Sequence, residues 1–128
     1  MAPFPPELAD LDVCYVSTTG RRSGRIHRIE IWFGLHDDVL YLISGNGPTA
    51  HWFLNLQAEP TVTVELGDEV RRGTARVVTD PDERRLVGDV LGAKHAGWSG
   101  DPDIGLTFEA WCYQVPAAAI DRWRPEAD

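Results

Sequence analysis

Four arginines, Arg21, Arg22, Arg25 and Arg28, fall within eight consecutive positions, and the first two sit inside the glycine-bounded run Gly20-Arg21-Arg22-Ser23-Gly24. The chain carries 12 Lys+Arg against 20 Asp+Glu, a formal net charge of −8, so this concentration of cations is set in an otherwise acidic molecule. Guanidinium forks beside glycine-flanked backbone N–H groups suit a phosphate or carboxylate, which they bind by charge-assisted and often bidentate hydrogen bonds. The same spacing fits a solvated hairpin whose arginines pair with neighbouring carboxylates, an arrangement that contributes little energy. A second loop, Gly45-Asn46-Gly47-Pro48, leads into an expected helix over residues 49–58. Free N–H groups and partial positive charge at the start of that helix favour an anion, although the tetrapeptide also reads as no more than a turn and helix entry.

The residue types that other chemistries need are present but not arranged for them. Ser17, Ser23, Ser44 and Ser99 stand in no GxSxG elbow, and Cys14 and Cys112 form neither a CxxC pair nor a zinc-finger spacing. Both cysteines read as reduced, buried small hydrophobes. His27, His36, His51 and His95 show no HExxH pattern, so no metal site is expected. No GxGxxG follows an expected strand, which removes the usual nicotinamide fingerprint. Tyr41, Trp52, Trp98, Trp111 and Tyr113 read first as core aromatics that retain the capacity to face a planar ring.

The elements that must position these groups follow from periodicity. Residues Val13–Thr19 and 26–33 read as strands flanking the arginine turn, with Ile29, Ile31 and Phe33 on one face of the second and Arg28, Glu30 and Trp32 on the other. His36-Asp37-Asp38 supplies a hairpin turn into a strand over residues 39–44. Trp52, Phe53 and Leu56 make the apolar stripe of the first helix, which Pro60 stops. Alternation predicts a hairpin of Thr61–Leu66 with residues 70–79 across Gly67-Asp68-Glu69. Asp80-Pro81-Asp82-Glu83 is a capping box opening a second helix that Gly92 ends. Residues 95–102 read as an ordered loop or lid anchored by Trp98, and residues 106–115 as the closing strand. Strands joined mainly by hairpins around two short helices predict an α+β protein built on a mainly antiparallel barrel of about six strands.

At 128 residues, 43% apolar and 25% charged, the chain fits one globular domain over residues 1–128, with residues 1–10 as a flexible or extended arm. It has no apolar run near the roughly 20 residues of a spanning helix. The opening MAPFPPELAD has acidic residues and prolines where a secretory signal needs a basic start and an apolar run, so a cytoplasmic location is expected. A sequence pI near 4.8 argues against nucleic acid as the partner.

Two stretches, Ser17-Thr18-Thr19-Gly20-Arg21-Arg22-Ser23-Gly24 and Trp52-Phe53-Leu54-Asn55-Leu56-Gln57-Ala58-Glu59-Pro60, with the apolar strand between them, resemble the deazaflavin-dependent nitroreductase family of split β-barrels. The resemblance is close over residues 13–66 and extends to the remainder only as a strand-helix-strand plan. It implies a homodimer that binds reduced F420, with FMN as the alternative, and passes a hydride to a nitro compound, quinone or similar small acceptor. It places the cofactor's phosphate on Gly20, Arg21, Arg22 and Ser23 with Arg25 adjacent, and brings Ser44, Asn46, His51, Trp52 and Asn55 near the cofactor. Ser44, Tyr113 and His95 are then candidate proton donors or acceptor-binding groups. A noncatalytic carrier of a cofactor or apolar small molecule remains the alternative function.

Overall fold

The computed structural model of the chain describes residues 1–126. Its strands are β1 (Val13–Thr19), β2 (Ile26–Trp32), β3 (Gly34–His36), β4 (Val39–Ile43), β5 (Thr61–Leu66), β6 (Glu69–Val77), β7 (Gly100–Asp101), β8 (Leu106–Thr107) and β9 (Ala117–Pro125). Its helices are α1 (His51–Ala58), α2 (Pro81–Lys94) and α3 (Phe108–Tyr113). Seven strands form one antiparallel sheet in the order β2-β1-β5-β6-β9-β4-β3, while β7 and β8 pair separately. The expected α+β split barrel holds, with seven strands and a third helix in place of about six and two.

The barrel curls because β2 and β3 lie at opposite edges of this sheet yet are separated in the chain by Phe33 alone. One run of backbone therefore serves both edges and bends sharply between them. The Lys94 amine donates to the Phe33 carbonyl at 2.9 Å and lies 3.5 Å from the centroid of its ring, which satisfies a polar group at the corner where the two ladders part. Burial pushes the Lys94 ammonium below its ordinary pKa.

Two apolar clusters result. Inside the barrel, Val16, Phe33, Leu40, Leu42, Val64 and Ile120 pack with Phe53 and Leu56 of α1. Outside it, Tyr41, Ile43 and Ala119 meet Val87 and Leu91 of α2 and Trp111 and Cys112 of α3. Full burial of each large apolar side chain contributes on the order of 1.5–3 kcal/mol. Gly88 allows α2 and α3 to touch, since a Cβ there would fall 2.3 Å from the Tyr113 ring and 2.5 Å from the Cys112 carbonyl oxygen. Arg84, half-buried, reinforces the contact by donating to the carbonyls of Trp111, Cys112 and Val115 at the end of α3.

The closing strand lies elsewhere than the sequence suggests. Within residues 106–115, only Leu106 and Thr107 are extended; the Thr107 hydroxyl then accepts from the Ala110 N–H at 3.1 Å and caps α3. The barrel closes with β9, whose Ala117-Ala118-Ala119-Ile120 stretch is wholly buried between β6 and β4. Alanine has little strand preference, but a central strand packed on both faces favours small side chains where two cores converge, so tertiary burial overrides local propensity. The capping at Asp80 is as expected, its carboxylate accepting from the Glu83 N–H at 3.0 Å, and α2 runs on to Lys94.

The N-terminal segment has no regular secondary structure up to Pro5 and makes a 3₁₀ turn over Pro6–Asp10. Phe4 is buried, donates its N–H to Asp38 Oδ1 at 2.9 Å and meets Trp123 edge to face at 4.9 Å. The buried Arg71 lies over the Phe4 ring and donates to the Ala2 carbonyl at 2.7 Å. Cys14 and Cys112 are buried free thiols in different clusters, and burial pushes Cys14 up to about 12, which leaves it an inert thiol. No described helix is long and apolar enough to cross a membrane.

Candidate functional site

The arginine turn is built by its own backbone. The Gly20 N–H donates to the Arg25 carbonyl at 2.7 Å, the Gly24 N–H to the Gly20 carbonyl at 2.9 Å, and Ser23 Oγ accepts from the Arg25 N–H at 3.1 Å. This closed loop is then fastened to α1. Asn55, buried on α1, accepts at Oδ1 from the Arg21 N–H at 3.2 Å and from Arg21 Nη1 at 2.8 Å, while its Nδ2 reaches Thr18 Oγ1 at 3.4 Å. Arg21 Nη2 lies 3.4 Å from His51 Nδ1. Turn and helix thus converge on a cavity of about 350 Å³ lined by Gly20, Arg21, Arg22, Ser23, His51, Trp52 and Asn55, together with His27 and Ile29.

The four arginines have different fates. Arg28 is committed to Glu65, with contacts of 2.8 and 3.2 Å, and lies over the Tyr15 ring, so for this residue the solvated ion pair is the right description. The Glu65 carboxyl is held below the usual carboxylate range, chiefly by hydrogen bonds from Arg28. Arg21 is half-buried and held in place. The side chains of Arg22 and Arg25 are exposed and pair with no other described residue. Arg25 belongs to the turn without lining the cavity.

A second cavity of about 430 Å³ shares Ile29 and Trp52 with the first, so the two abut as one groove. Residues 29–32 of the edge strand β2 form one wall, and Ile43, Gly45 and Asn46 at the end of β4 form another. The roof comes from the α2–α3 connection through Trp98, Ile104 and Leu106. Trp32, Trp98 and Trp111 meet edge to face with centroids 5.2 to 5.8 Å apart, giving an aromatic end to a groove whose other end is cationic.

The remaining expected residues take other places. Ser44 is buried, donates its hydroxyl to the Gly47 carbonyl at 2.6 Å and lines neither cavity, so it shapes the glycine loop that presents Asn46. Tyr113 donates to Asp89 at 2.7 Å in a separate depression between α2 and α3, and that bond is the main cause of its raised pKa. His95 is buried and stacked on Trp32 at 4.1 Å with rings 6° from parallel. Sequence reasoning did not single out Trp32, which it placed with Arg28 and Glu30; the nearby Gly97-Trp98-Ser99-Gly100 loop was the available hint that indoles would gather there. Among the described residues, no group of three or more His, Cys, Asp or Glu side chains is arranged to hold a metal.

Residues 5–98 match the family model described as F420H(2)-dependent quinone reductase. The chain belongs to this family. It is accordingly an oxidoreductase of the F420-dependent class. Solved structures agree on the fold. One described as an F420-H2 dependent reductase superposes with a TM-score of 0.66 at 21% identity, covering 86% of this chain and 94% of that one. A putative 5-nitroimidazole antibiotic resistance protein from Bacteroides thetaiotaomicron gives 0.64 at 19% identity, covering 96% and 84%. A structure described as a domain-swapped dimer gives 0.64 at 22%, covering 86% and 80%. The groove combines an arginine-rich end with an indole-lined end whose lining also includes Glu30, Asn46 and Asp101.

Proposed function

We propose that this F420-dependent reductase binds the cofactor along the groove, with its phosphate on Gly20, Arg21, Arg22 and Ser23, and reduces a quinone, nitro compound or similar planar acceptor at the indole-lined end. The observation that carries this reading is the convergence of the arginine turn and α1 on one end of a groove whose other end is roofed by Trp98. Asn55 holds Arg21, Arg25 adds charge at the rim, and Trp52 with Ile29 walls the passage between phosphate and ring. When bound, reduced F420 supplies a hydride, so the protein needs to bind, orient and shield rather than to provide a nucleophile. His51 and Asn46 flank the path, and the indoles of Trp32, Trp98 and Trp111 cover its far end, where Glu30 and Asp101 also line the cavity. The hydroxyls of Ser44 and Tyr113 are engaged by Gly47 and Asp89, and neither residue lines the groove.

The protein acts in the cytoplasm as a homodimer of one cofactor-binding domain per chain, and its partner is a small acceptor rather than nucleic acid. The net charge of −8 and the fold shared with a domain-swapped dimer support this. The test is a fluorescence titration with F420 and with FMN, followed by turnover with menadione or a nitroaromatic. F420 binds more tightly than FMN, and the acceptor drives oxidation of the reduced cofactor. Binding without oxidation would make the protein a carrier; tighter binding of FMN would overturn the cofactor assignment.

A further inference from the structure

We propose that His95 is a positioning residue for the acceptor: its imidazole, stacked on Trp32, fixes the indole wall of the acceptor end and anchors the segment that roofs it. This rests on the reading of the indole-lined cavity as the acceptor site.

Three observations meet at this residue. His95 ends α2, its N–H donating to the Leu91 carbonyl at 2.9 Å, and its own carbonyl accepts from the Trp98 N–H at 3.0 Å. The roof therefore begins with a turn closed on His95. The ring lies face to face with Trp32 at 4.1 Å and edge-on to Trp111 at 6.0 Å, and both indoles line the cavity. Finally, His95 Nε2 is buried with no hydrogen-bond partner among the described residues. Buried polar atoms nearly always find partners, so the ring is held here by its stack on the Trp32 indole rather than by a hydrogen bond from Nε2.

The stack favours the neutral ring. Burial is the main influence and Lys94, on the same helix, acts in the same direction, while Asp12 ahead of β1 opposes them; together they hold the imidazole below its ordinary pKa. The groups facing it from β2 and α3 are the uncharged indoles of Trp32 and Trp111. Because the unfolded chain then takes up the proton more readily, the anchor weakens as pH falls below about 6.5.

Two variants test the proposal: His95→Ala removes the stack, and His95→Phe keeps it without a titrating ring. Binding of menadione to the protein without cofactor is read by quenching of tryptophan emission, and the emission itself is followed from pH 8 to 4. His95→Ala is expected to weaken menadione binding several-fold and to raise the acceptor KM equally, with F420 affinity unchanged. His95→Phe is expected to bind menadione as the wild type does near pH 7 and to lose the acid-induced change in emission. Should His95→Ala not fold, His95→Leu, which keeps the volume and removes the stacked ring, is read in its place with the same expected loss of menadione binding. Wild-type menadione binding in His95→Ala, or an identical emission titration in His95→Phe, overturns the proposal. Absence of F420 turnover would defeat the functional reading alone, because quenching and emission need no cofactor.

Discussion

The side-chain oxygen of Asn55 accepts two hydrogen bonds from Arg21, one from its backbone N–H at 3.2 Å and one from its guanidinium at 2.8 Å. One buried amide on α1 thus fixes both the path of the β1–β2 turn and the direction of its first arginine. The relay continues to Thr18 in the barrel wall through Asn55 Nδ2 at 3.4 Å. A phosphate arriving at this turn meets donors that are already ordered, which reduces the entropy lost on binding.

Asn55→Ala strips partners from the Arg21 N–H and from the buried Thr18 hydroxyl. Leaving such groups unsatisfied costs about 1–3 kcal/mol, which urea unfolding will show. F420 affinity falls on the order of tenfold as the guanidinium loses its anchor.

Arg22→Ala is expected to leave stability within about 0.5 kcal/mol of the wild type, because its side chain is exposed and makes no described contact. F420 affinity drops about tenfold or more for the loss of a charge-assisted contact. The double change of Arg21 and Arg22 to Ala weakens binding further with little loss of fold. Arg28→Ala, by contrast, breaks a surface pair with Glu65 and leaves F420 affinity unchanged. Titrations of the three proteins side by side check the assignment, and equal losses for Arg22 and Arg28 would defeat it.

Gly100 adopts φ +106°, and a Cβ there would sit 2.4 Å from the Leu106 carbonyl oxygen, across the β7–β8 pair. Gly100→Ala should therefore distort the roof while sparing both apolar clusters. The expected outcome is a several-fold rise in acceptor KM, with thermal stability and F420 binding near wild type.

Glu83 ties α2 to the barrel by accepting from Arg76 at 2.6 and 2.8 Å and from the Tyr41 hydroxyl at 2.9 Å. Hydrogen bonds from Arg76 are the main reason its carboxyl lies below the ordinary 4.5, with burial opposing. A depressed folded-state pKa means that this stabilisation is present above 4.5 and lost as pH falls through the folded value. Thermal unfolding between pH 3 and 7 should show a steeper acid limb in the wild type than in Glu83→Gln. Burial, followed by the bond to Glu83, pushes Tyr41 up to about 12, so the hydroxyl remains a donor throughout that range.

What the sequence made legible was local. The arginine turn, the Asp80 cap, the β5–β6 hairpin and the α1 stripe each depend on residues close in sequence, the widest being the hairpin pair Thr61 and Thr74, and all appear as expected. The third helix was hidden because Trp111 and Cys112 are buried where alternation suggested a strand, and the cap that starts it rests on Thr107 alone. The closing strand was hidden for the opposite reason, since three successive alanines announce no element until both faces are covered.

The sequence by itself determined that an acidic chain would expose a cationic, glycine-bounded turn between two strands, because charge and turn chemistry reside in consecutive residues. Only the tertiary structure decided which arginines are free: Glu65, distant in sequence, claims Arg28, while Asn55 orients Arg21 and Arg22 pairs with no other described residue. The aromatic end has the same origin. Trp32, His95, Trp98 and Trp111 come from β2, the end of α2, the roof and α3, and meet only because the bend at Phe33 curls the sheet beneath them. Contacts of that range are selected by shared burial and strand register, which no local pattern of residues records.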